Sequence, residues 1–335
     1  MRTFLASVAL AVGVGISGVA HAADCSALQI RNTVKMAPIA RYGLMVVPIT
    51  LNGVEKKFLF DTGGGLNSIS RATVQELKLP EYHSNVRASD LYGEDSDTFV
   101  QVHEVAFGAA KTSGVQLQVM GNFGFKDGNA PFDGILATGY FNHDDVDLDF
   151  GAERVNFFST DHCEGKVVYW PHQVLSVVSV KLEQGHIDLP VTLDGHPLHA
   201  LIDTGATRTT LNLTRAVEKL DFSPNSSSPP GAFKDAPNAQ IYPRRFGALS
   251  FEGVTVANPV IIVQPLQSGG SDNRAALGSR AEHMDDETNR LSPDMIVGMD
   301  VLRRLHLYLA TDEEKLYITE AGTGESVLFK APAAH

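Results

Sequence analysis

The sequence predicts a mostly β protein that consists of two similar lobes. A segment at 48–63, PITLNGVEKKFLFDTG, recurs without a gap 142 positions later as PVTLDGHPLHALIDTG at 190–205. A second block, DGILATGYF at 133–141, recurs as DMIVGMDVL at 294–302. Short apolar and β-branched runs bounded by turn residues outnumber helical patterns along the chain. These three observations indicate a tandem duplication of one small β unit.

Each copy of the first repeat contains a dipeptide that favours a tight hairpin turn. These dipeptides are Asn52-Gly53 in the first copy and Asp194-Gly195 in the second. Asparagine, aspartate and glycine all tolerate the positive φ angles that such turns require. The flanking strands are predicted at 44–51 and 58–60 in the first copy, and at 187–193 and 198–202 in the second.

A short helix is predicted after each Asp-Thr-Gly segment. The helical patterns cover 71–78 in the first half and Leu213–Leu220 in the second, directly behind Ser70 and Asn212. Serine and asparagine are favoured N-cap residues because their side chains accept hydrogen bonds from the first helical N–H groups. The two caps are 142 positions apart, so the helices belong to the repeat.

The composition is that of a folded protein with an acidic balance of charge. The 335 residues are enough for two domains, and 43% of them are hydrophobic. A formal net charge of −12, with no concentrated run of Lys or Arg, argues against a nucleic-acid partner. The Cys and His residues do not have the spacing of a zinc site, so neither a metal nor a cofactor is expected.

The N-terminal segment has the features of a secretory signal peptide. Arg2 supplies a positive charge, residues 4–19 are apolar or small, and Ala20-His21-Ala22 fits the cleavage pattern. An uncleaved membrane anchor is the alternative, but the apolar run is shorter than the roughly 18–20 strongly hydrophobic residues needed. We therefore predict a periplasmic or secreted protein without stable membrane insertion. The predicted spans are 1–22 for the signal peptide, 23–165 for the N-terminal lobe and 166–330 for the C-terminal lobe.

The chain has two cysteines, Cys25 and Cys163. In an exported protein they most simply form one disulfide, which would tie the start of the mature chain to the end of the first lobe. Two free, buried thiols are the alternative.

The repeated Asp-Thr-Gly sequence places one carboxyl group at the end of an apolar strand in each half. Asp61 and Asp203 each follow two apolar residues that favour burial of the strand. Two carboxyl groups held close together share one proton, because ionising both is costly. Such a pair is able to activate a water molecule and to polarise a peptide carbonyl without a metal or a covalent nucleophile. The pattern therefore indicates hydrolysis of peptide bonds.

With these motifs in both halves, the chain resembles the retropepsin-like and pepsin-like aspartic peptidases over about residues 43–319. It is most similar to the bacterial retropepsin-like branch, with both halves fused in one chain. The resemblance implies two closed β-barrel lobes with psi-loops, a short helix in each lobe, and a substrate cleft between them under a flap. It also implies a peptide or protein substrate. Because the duplication supplies both halves of the site, a monomer is expected.

The resemblance assigns roles to individual residues. Asp61 and Asp203 become the catalytic pair, and the residues that support them are Thr62, Gly63, Thr204 and Gly205. The psi-loop segments are Ile135, Leu136 and Ala137 in the first half and Ile296, Val297 and Gly298 in the second. The flap is expected within 85–102, with Tyr92 and Gly93 at its tip. An exposed turn tyrosine is the alternative for Tyr92.

Two positions depart from the pattern of the family. Ala137 stands where the first psi-loop usually has glycine, and Gly64 stands where serine, threonine or alanine usually follows Asp-Thr-Gly. Both departures are compatible with weaker activity. The leading hypothesis is an exported aspartic endopeptidase, and the alternative is a non-catalytic peptide-binding protein on the same scaffold. A serine hydrolase is disfavoured because the chain contains no GxSxG sequence.

Overall fold

The computed structural model describes residues 25–89, 95–121, 123, 125, 130–137, 143–183, 185–223, 241–266 and 293–322. The predicted signal peptide lies outside the described residues, and so do Tyr92 and Gly93. Twenty-five strands and three helices lie within these ranges.

The first half contributes thirteen strands and one helix. They are β1 (Ile30–Lys35), β2 (Ala37–Ile39), β3 (Leu44–Leu51), β4 (Val54–Asp61), β5 (Ser68–Ser70), α1 (Arg71–Leu77), β6 (Glu81–Ser89), β7 (Asp95–Val102), β8 (Val105–Phe107), β9 (Ala110–Thr112), β10 (Val115–Met120), β11 (Gly134–Ala137), β12 (Asp145–Asp149) and β13 (Arg154–Phe158).

The second half contributes twelve strands and two helices. They are β14 (Ser176–Ser179), β15 (Lys181–Glu183), β16 (His186–Leu193), β17 (His196–Ile202), β18 (Thr210–Asn212), α2 (Leu213–Leu220), β19 (Tyr242–Arg245), β20 (Ala248–Phe251), β21 (Val254–Ala257), β22 (Val260–Gln264), β23 (Met295–Val297), α3 (Met299–Leu302), β24 (Leu305–Ala310) and β25 (Lys315–Glu320).

Each half forms a curled sheet of its own. In the first half the strand order is β6-β7-β10-β5-β11-β4-β3-β8-β9, and β2 pairs with β3. In the second half the order is β19-β22-β18-β23-β17-β16-β20-β21, and β15 pairs with β16. The prediction of an all-β protein with two similar lobes is confirmed.

Both lobes contain the same crossed arrangement of strands. β11 lies between β4 and β5, which are successive in the chain, and it runs parallel to β4 and antiparallel to β5. β23 lies in the same way between β17 and β18. A strand from the end of each half therefore passes between two strands from its beginning, which is the expected psi arrangement.

A third sheet joins the two halves. Its strand order is β1-β13-β12-β24-β25-β14, so three strands come from each half. The central strands β12 and β24 are antiparallel, with Val146 opposite Leu309 and Leu148 opposite Leu307. The boundary predicted near residue 165 falls in the connection between β13 and β14, and its position stays a prediction.

The predicted hairpin turns are confirmed by backbone angles. Asn52 and Gly53 have φ values of 47° and 86°, and Asp194 and Gly195 have values of 49° and 85°. These positive angles match the right-handed twist of the strands on either side. The turns therefore define the register of β3 with β4 and of β16 with β17.

The two predicted helices also begin where the sequence indicates. The Ser70 side chain accepts a hydrogen bond from the Thr73 N–H, and the Asn212 side chain accepts one from the Thr214 N–H. The first helix ends one residue before its predicted end, because Lys78 adopts a left-handed conformation with φ of 51°. The short helix α3 was not predicted.

The core encloses the strands that lead to the two Asp-Thr-Gly segments. Phe58, Leu59 and Phe60 on β4 are all buried, and so are Ala200 and Ile202 on β17. Near its end β4 is buried on both faces, and β17 is buried on the face that carries Ala200 and Ile202, so neighbouring strands hold both. The carboxyl groups at the ends of β4 and β17 are therefore carried by rigid parts of the fold.

Cys25 and Cys163 form a disulfide that closes a separation of 138 residues. A backbone hydrogen bond of 3.1 Å from the Cys163 N–H to the Ser26 carbonyl lies beside it. This pairing agrees with the simpler of the two sequence expectations. It fits an exported protein, since disulfides persist in oxidising compartments. Among the described residues, none of the helices has the length and apolar character needed to cross a membrane.

Candidate active site

Two apolar strands bring Asp61 and Asp203 to the same place between the lobes. β4 ends at Asp61, and β17 ends at Ile202, one residue before Asp203. The ladder between β4 and β11 extends to the aspartate itself, where Ala137 is opposite Asp61. In the second lobe the N–H of Asp203 donates to the carbonyl of Val297 at 3.0 Å. The backbone of each aspartate is thus attached to the psi-loop strand beside it.

Thr62 and Thr204 join the two loops through four hydrogen bonds. The N–H of each threonine donates to the hydroxyl of the other, at 3.0 Å in both directions. The hydroxyl of Thr62 donates to the carbonyl of Ile202 at 2.7 Å, and that of Thr204 to the carbonyl of Phe60 at 2.6 Å. Both threonines are buried, and each hydroxyl donates one bond and accepts one. This network fixes the distance between the two aspartates.

The aspartates are hydrogen-bonded to each other and to the backbone of both loops. The Gly63 N–H donates to Oδ1 of Asp61 at 2.9 Å, and the N–H groups of Gly205 and Ala206 donate to Oδ1 of Asp203 at 2.8 and 3.0 Å. A Cβ on Gly63 would lie 2.3 Å from Cγ of Asp203, and one on Gly205 would lie 2.4 Å from Oδ1 of Asp61. Each glycine therefore leaves room for the aspartate of the other half.

The surroundings raise the pKa of both half-buried aspartates. For Asp61 the main cause is burial, which disfavours the charged form, while the bond to Asp203 and three backbone N–H groups oppose it. For Asp203, burial is reinforced by the negative charge of Asp61, and its pKa is raised well above the usual range. The two groups titrate as a pair that holds a proton more tightly than isolated carboxyl groups do.

The two departures from the family pattern, Gly64 and Ala137, lie next to each other. A Cβ on Gly64 would lie 3.4 Å from the Cβ of Ala137 and 2.9 Å from Oδ2 of Asp61. In the second lobe the arrangement is reversed, since Ala206 has the methyl group and Gly298 stands in the psi-loop. A Cβ on Gly298 would lie only 2.8 Å from the carbonyl oxygen of Ala206. Gly64 is therefore required mainly by the Asp61 carboxyl group, and Gly298 by the backbone of residues 206 and 208.

The chain matches the aspartyl protease family over residues 47–139 and 189–301, one segment in each lobe. It belongs to that family. Each matched segment covers the strand that ends at an Asp-Thr-Gly sequence and the psi-loop strand beside it. Membership of the aspartyl protease family supports a peptidase function and a peptide substrate. No curated protein matches the chain.

The flap of this aspartyl protease was expected where β6 and β7 form an antiparallel hairpin. Glu81 is opposite Val100 at the base of the hairpin, and the rings of Tyr82 and Phe99 stack with centroids 5.6 Å apart. The tip at 90–94 lies outside the described residues, so the assignment of the flap stays a prediction. Among the described residues, no cluster of three or more His, Cys, Asp or Glu side chains could hold a metal ion.

The sequence analysis missed three polar residues that support the psi-loops of this protease. Asn67 accepts the N–H of Ala137, Thr209 accepts the N–H of Gly298, and Asp300 accepts two hydrogen bonds from Thr209. Their positions contain a clue, since Asn67 and Thr209 both stand six residues after an aspartate of the pair. Because these two residues differ in type, comparison of identical residues in the repeats did not reveal them.

Proposed function

We propose that the chain is an exported aspartic endopeptidase in which Asp61 and Asp203 activate a water molecule. The observation that carries the proposal is the geometry of the two loops: the carboxyl group of each aspartate packs against the glycine of the opposite loop, and the buried Thr62 and Thr204 network holds the loops together. Each half contributes one aspartate and one threonine to this site. We assign the halves to an N-terminal lobe at 23–165 and a C-terminal lobe at 166–330.

The chemistry follows from the shared proton. The charged carboxylate of the pair takes a proton from water, and the water oxygen attacks the carbonyl carbon of the scissile peptide bond. The protonated carboxyl group donates a hydrogen bond to the carbonyl oxygen, which stabilises the developing negative charge. The leaving amine then receives a proton from the pair. Burial of the two groups assists because it keeps one of them protonated.

The remaining parts of the fold take supporting roles in this proposal. The hairpin of β6 and β7 is the flap of this proposal and covers a bound peptide, and Tyr92 and Gly93, the predicted tip, follow β6 in the sequence and lie outside the described residues. The psi-loop residues lie in or directly after the strand beside each aspartate and hold its backbone in place. They are Ile135, Leu136 and Ala137 in one lobe and Ile296, Val297 and Gly298 in the other. The predicted signal peptide and the disulfide between Cys25 and Cys163 support export. A monomer supplies both aspartates.

The test is cleavage of a denatured protein across a range of pH, with and without the aspartic protease inhibitor pepstatin. Asp61→Asn and Asp203→Asn should each abolish cleavage, because each removes one member of a unit that works only as a pair. Asp312→Asn, at an exposed position, is the matched control and should cleave like the wild type. Circular dichroism should show that all three variants are folded.

Two results would reject this function. One is substantial turnover by either asparagine variant of the pair. The other is a wild-type protein that binds the denatured substrate or pepstatin but cleaves nothing at any pH. The second result would favour the alternative of a peptide-binding protein on the same scaffold.

A further inference from the structure

Beside each aspartate of the pair, one backbone N–H of the psi-loop donates a hydrogen bond to a side-chain oxygen. In the first lobe this N–H belongs to Ala137, the residue opposite Asp61 at the end of the parallel ladder. It donates to Oδ1 of Asn67 at 2.8 Å. Asn67 therefore fixes the end of the strand that runs beside the aspartate.

The second lobe meets the same requirement with two residues. The N–H of Gly298 donates to the hydroxyl oxygen of Thr209 at 3.1 Å. Thr209 in turn donates to Oδ1 of Asp300 from its N–H at 2.8 Å and from its hydroxyl at 2.7 Å. The residue before Gly298 is Val297, whose carbonyl accepts the N–H of Asp203. Three hydrogen-bonded contacts and the Val297–Gly298 peptide group thus connect Asp300 to the backbone of Asp203.

The first lobe uses one acceptor residue and the second lobe uses two, and the chemistry of the side chains explains this difference. Asn67 and Thr209 are equivalent in the first repeat, and Asp300 corresponds to Gly139 in the second. The amide oxygen of asparagine has no proton of its own, so Oδ1 of Asn67 accepts the Ala137 N–H without a second group to receive a proton. A threonine hydroxyl both donates and accepts. Because the Thr209 hydroxyl donates its hydrogen bond to the carboxylate of Asp300, a lone pair of the hydroxyl oxygen is free to accept the Gly298 N–H. The carboxylate is present in the lobe that has threonine and is replaced by glycine in the lobe that has asparagine.

We infer that Asn67 in one lobe, and Thr209 together with Asp300 in the other, are positioning residues for the catalytic aspartates. This inference rests on the proposed function. Without an acceptor, a buried psi-loop N–H loses its partner, and the strand end must move to find one. The aspartate beside it moves too, because the ladder joins the two backbones. Shifts on the order of 1 Å at a catalytic group are enough to cost about 100-fold in rate.

The first experiment removes each acceptor without changing side-chain volume greatly. Asn67→Leu and Thr209→Val should lower kcat by about 10- to 100-fold and change KM by less than about twofold, because alignment and not substrate contact is lost. Thr209→Ser keeps the hydroxyl and should retain most of the wild-type kcat. The matched control is Asn32→Leu. Oδ1 of Asn32 accepts the Ala109 N–H at 2.9 Å in the same way, but at the third sheet rather than beside the pair.

A second experiment replaces the positioning residues of the second lobe with those of the first. Thr209→Asn combined with Asp300→Gly places in the second lobe the residue types that stand at positions 67 and 139 of the first. We expect the double variant to be more active than either single variant, since each single change leaves half of one arrangement. Double-variant activity equal to the product of the two single effects would contradict a coupled positioning role.

Two further measurements do not depend on turnover. NMR titration of the carboxyl carbons of Asp61 and Asp203 should show changed apparent pKa values in Asn67→Leu and Thr209→Val but not in Asn32→Leu. Amide hydrogen exchange should speed up at Ala137 in the first variant and at Gly298 in the second. If the wild type cleaves nothing, the proposed function fails, and these measurements still decide whether the residues position the pair. Unchanged titration and unchanged kcat in variants as destabilised as Asn32→Leu would overturn the inference.

Discussion

At the scale of single residues, the site is governed by how closely the two halves approach each other. Gly63 packs against Asp203, and Gly205 packs against Asp61, at distances that exclude a methyl group. The glycine of the Asp-Thr-Gly sequence is therefore required by the aspartate of the opposite lobe. It also donates its N–H to the aspartate of its own lobe.

Gly63→Ala should abolish or greatly reduce activity by pushing the two carboxyl groups apart. The new Cβ would lie 2.3 Å from Cγ of Asp203, a contact that the rigid loops cannot relieve without moving. Cleavage rate and pepstatin affinity both measure this effect. Gly322→Ala is the control, because a Cβ there meets open space. Equal activity of the two variants would show that the loops are more pliable than the hydrogen-bond network indicates.

Ala206→Ser should shift the pH profile of kcat/KM toward acid. Ala206 already has a Cβ, so serine adds only a hydroxyl close to Asp203, whose Oδ1 accepts the residue 206 N–H at 3.0 Å. A hydroxyl that donates to a carboxylate stabilises the charged form and lowers the apparent pKa of the pair. The wild type, with Gly64 and Ala206 after its two Asp-Thr-Gly sequences, should show a bell-shaped optimum at about pH 4–6.5. An Ala109→Ser control should leave the profile in place, and a shift of Ala206→Ser toward higher pH would contradict the argument.

At the scale of elements, a carboxylate next to the psi-loop strand of each lobe connects that strand to its neighbours, and it is buried in the second lobe and partly exposed in the first. In the second lobe this group is Asp294, which immediately precedes β23 and accepts the His199 N–H at 3.1 Å. It also pairs with Arg215 at 3.0 Å and Lys219 at 2.8 Å, both on α2. In the first lobe Asp133 accepts the Lys57 N–H at 2.8 Å in the equivalent place. The repeated aspartate thus attaches β17 and α2 to the inserted strand.

Asp294→Ala should lower the free energy of unfolding by about 1–3 kcal/mol, since hydrogen bonds to a buried charged group are lost together. Urea denaturation followed by circular dichroism measures the change. Glu218→Ala is the matched control because its ion pair with Arg215 is exposed, and such pairs contribute only about 0–1 kcal/mol. A loss no larger than that of the control would show that α2 is held by apolar contacts alone.

At the scale of the whole molecule, the third sheet holds the lobes together around buried acids. Asp145 and Asp147 on β12 are fully buried. Asp145 accepts hydrogen bonds from the Thr311 N–H at 2.8 Å and from the Tyr308 hydroxyl at 3.1 Å, both in the second half. Nε2 of His306, also in the second half, lies 2.5 Å from Oδ1 of Asp147. The two halves are therefore joined by polar contacts as well as by strand pairing.

This arrangement predicts a protein that is more stable in mild acid than in mild alkali. Burial raises the pKa of Asp145, as it does for Asp61 and Asp203. Burial lowers the pKa of His162, but the Asp145 carboxylate, the Cys163 carbonyl and Glu313 together raise it further than burial lowers it. A carboxyl group of raised pKa loses stability as pH rises above its unfolded value of about 3.9. A histidine of raised pKa stabilises below about 6.5 and loses that contribution as pH rises through its folded pKa.

The melting temperature should therefore be higher at about pH 5 than at about pH 8, because all four groups bind protons more tightly in the folded state. The pKa values of Asp97 and Glu164 are lowered by bonds to His83 and Lys315, but both groups are exposed and screened by solvent. Asp145→Asn should reduce the difference between the two pH values. A melting temperature that increases steadily toward pH 8 would contradict the prediction.

The amino-acid sequence by itself determined the duplication, the positions of the two aspartates, the hairpin turns and the helix caps. These features follow from short-range chemistry or from direct comparison of two copies. Asn52 tolerates a positive φ, Ser70 caps the helix that follows it, and Asp61 aligns with Asp203 without a gap. Each inference needs only neighbouring residues or an equivalent segment, so the sequence contains all the information required.

Only the tertiary structure decided which distant groups meet. Asp147 and His306 are 159 residues apart, and the polar sequence of β12 gives no indication that all five of its residues are buried. The role of Asn67 likewise depends on Ala137, which reaches it only when β11 enters between β4 and β5. The physical reason is that a buried polar group is stable only beside its partners, and long-range strand pairing brings those partners together.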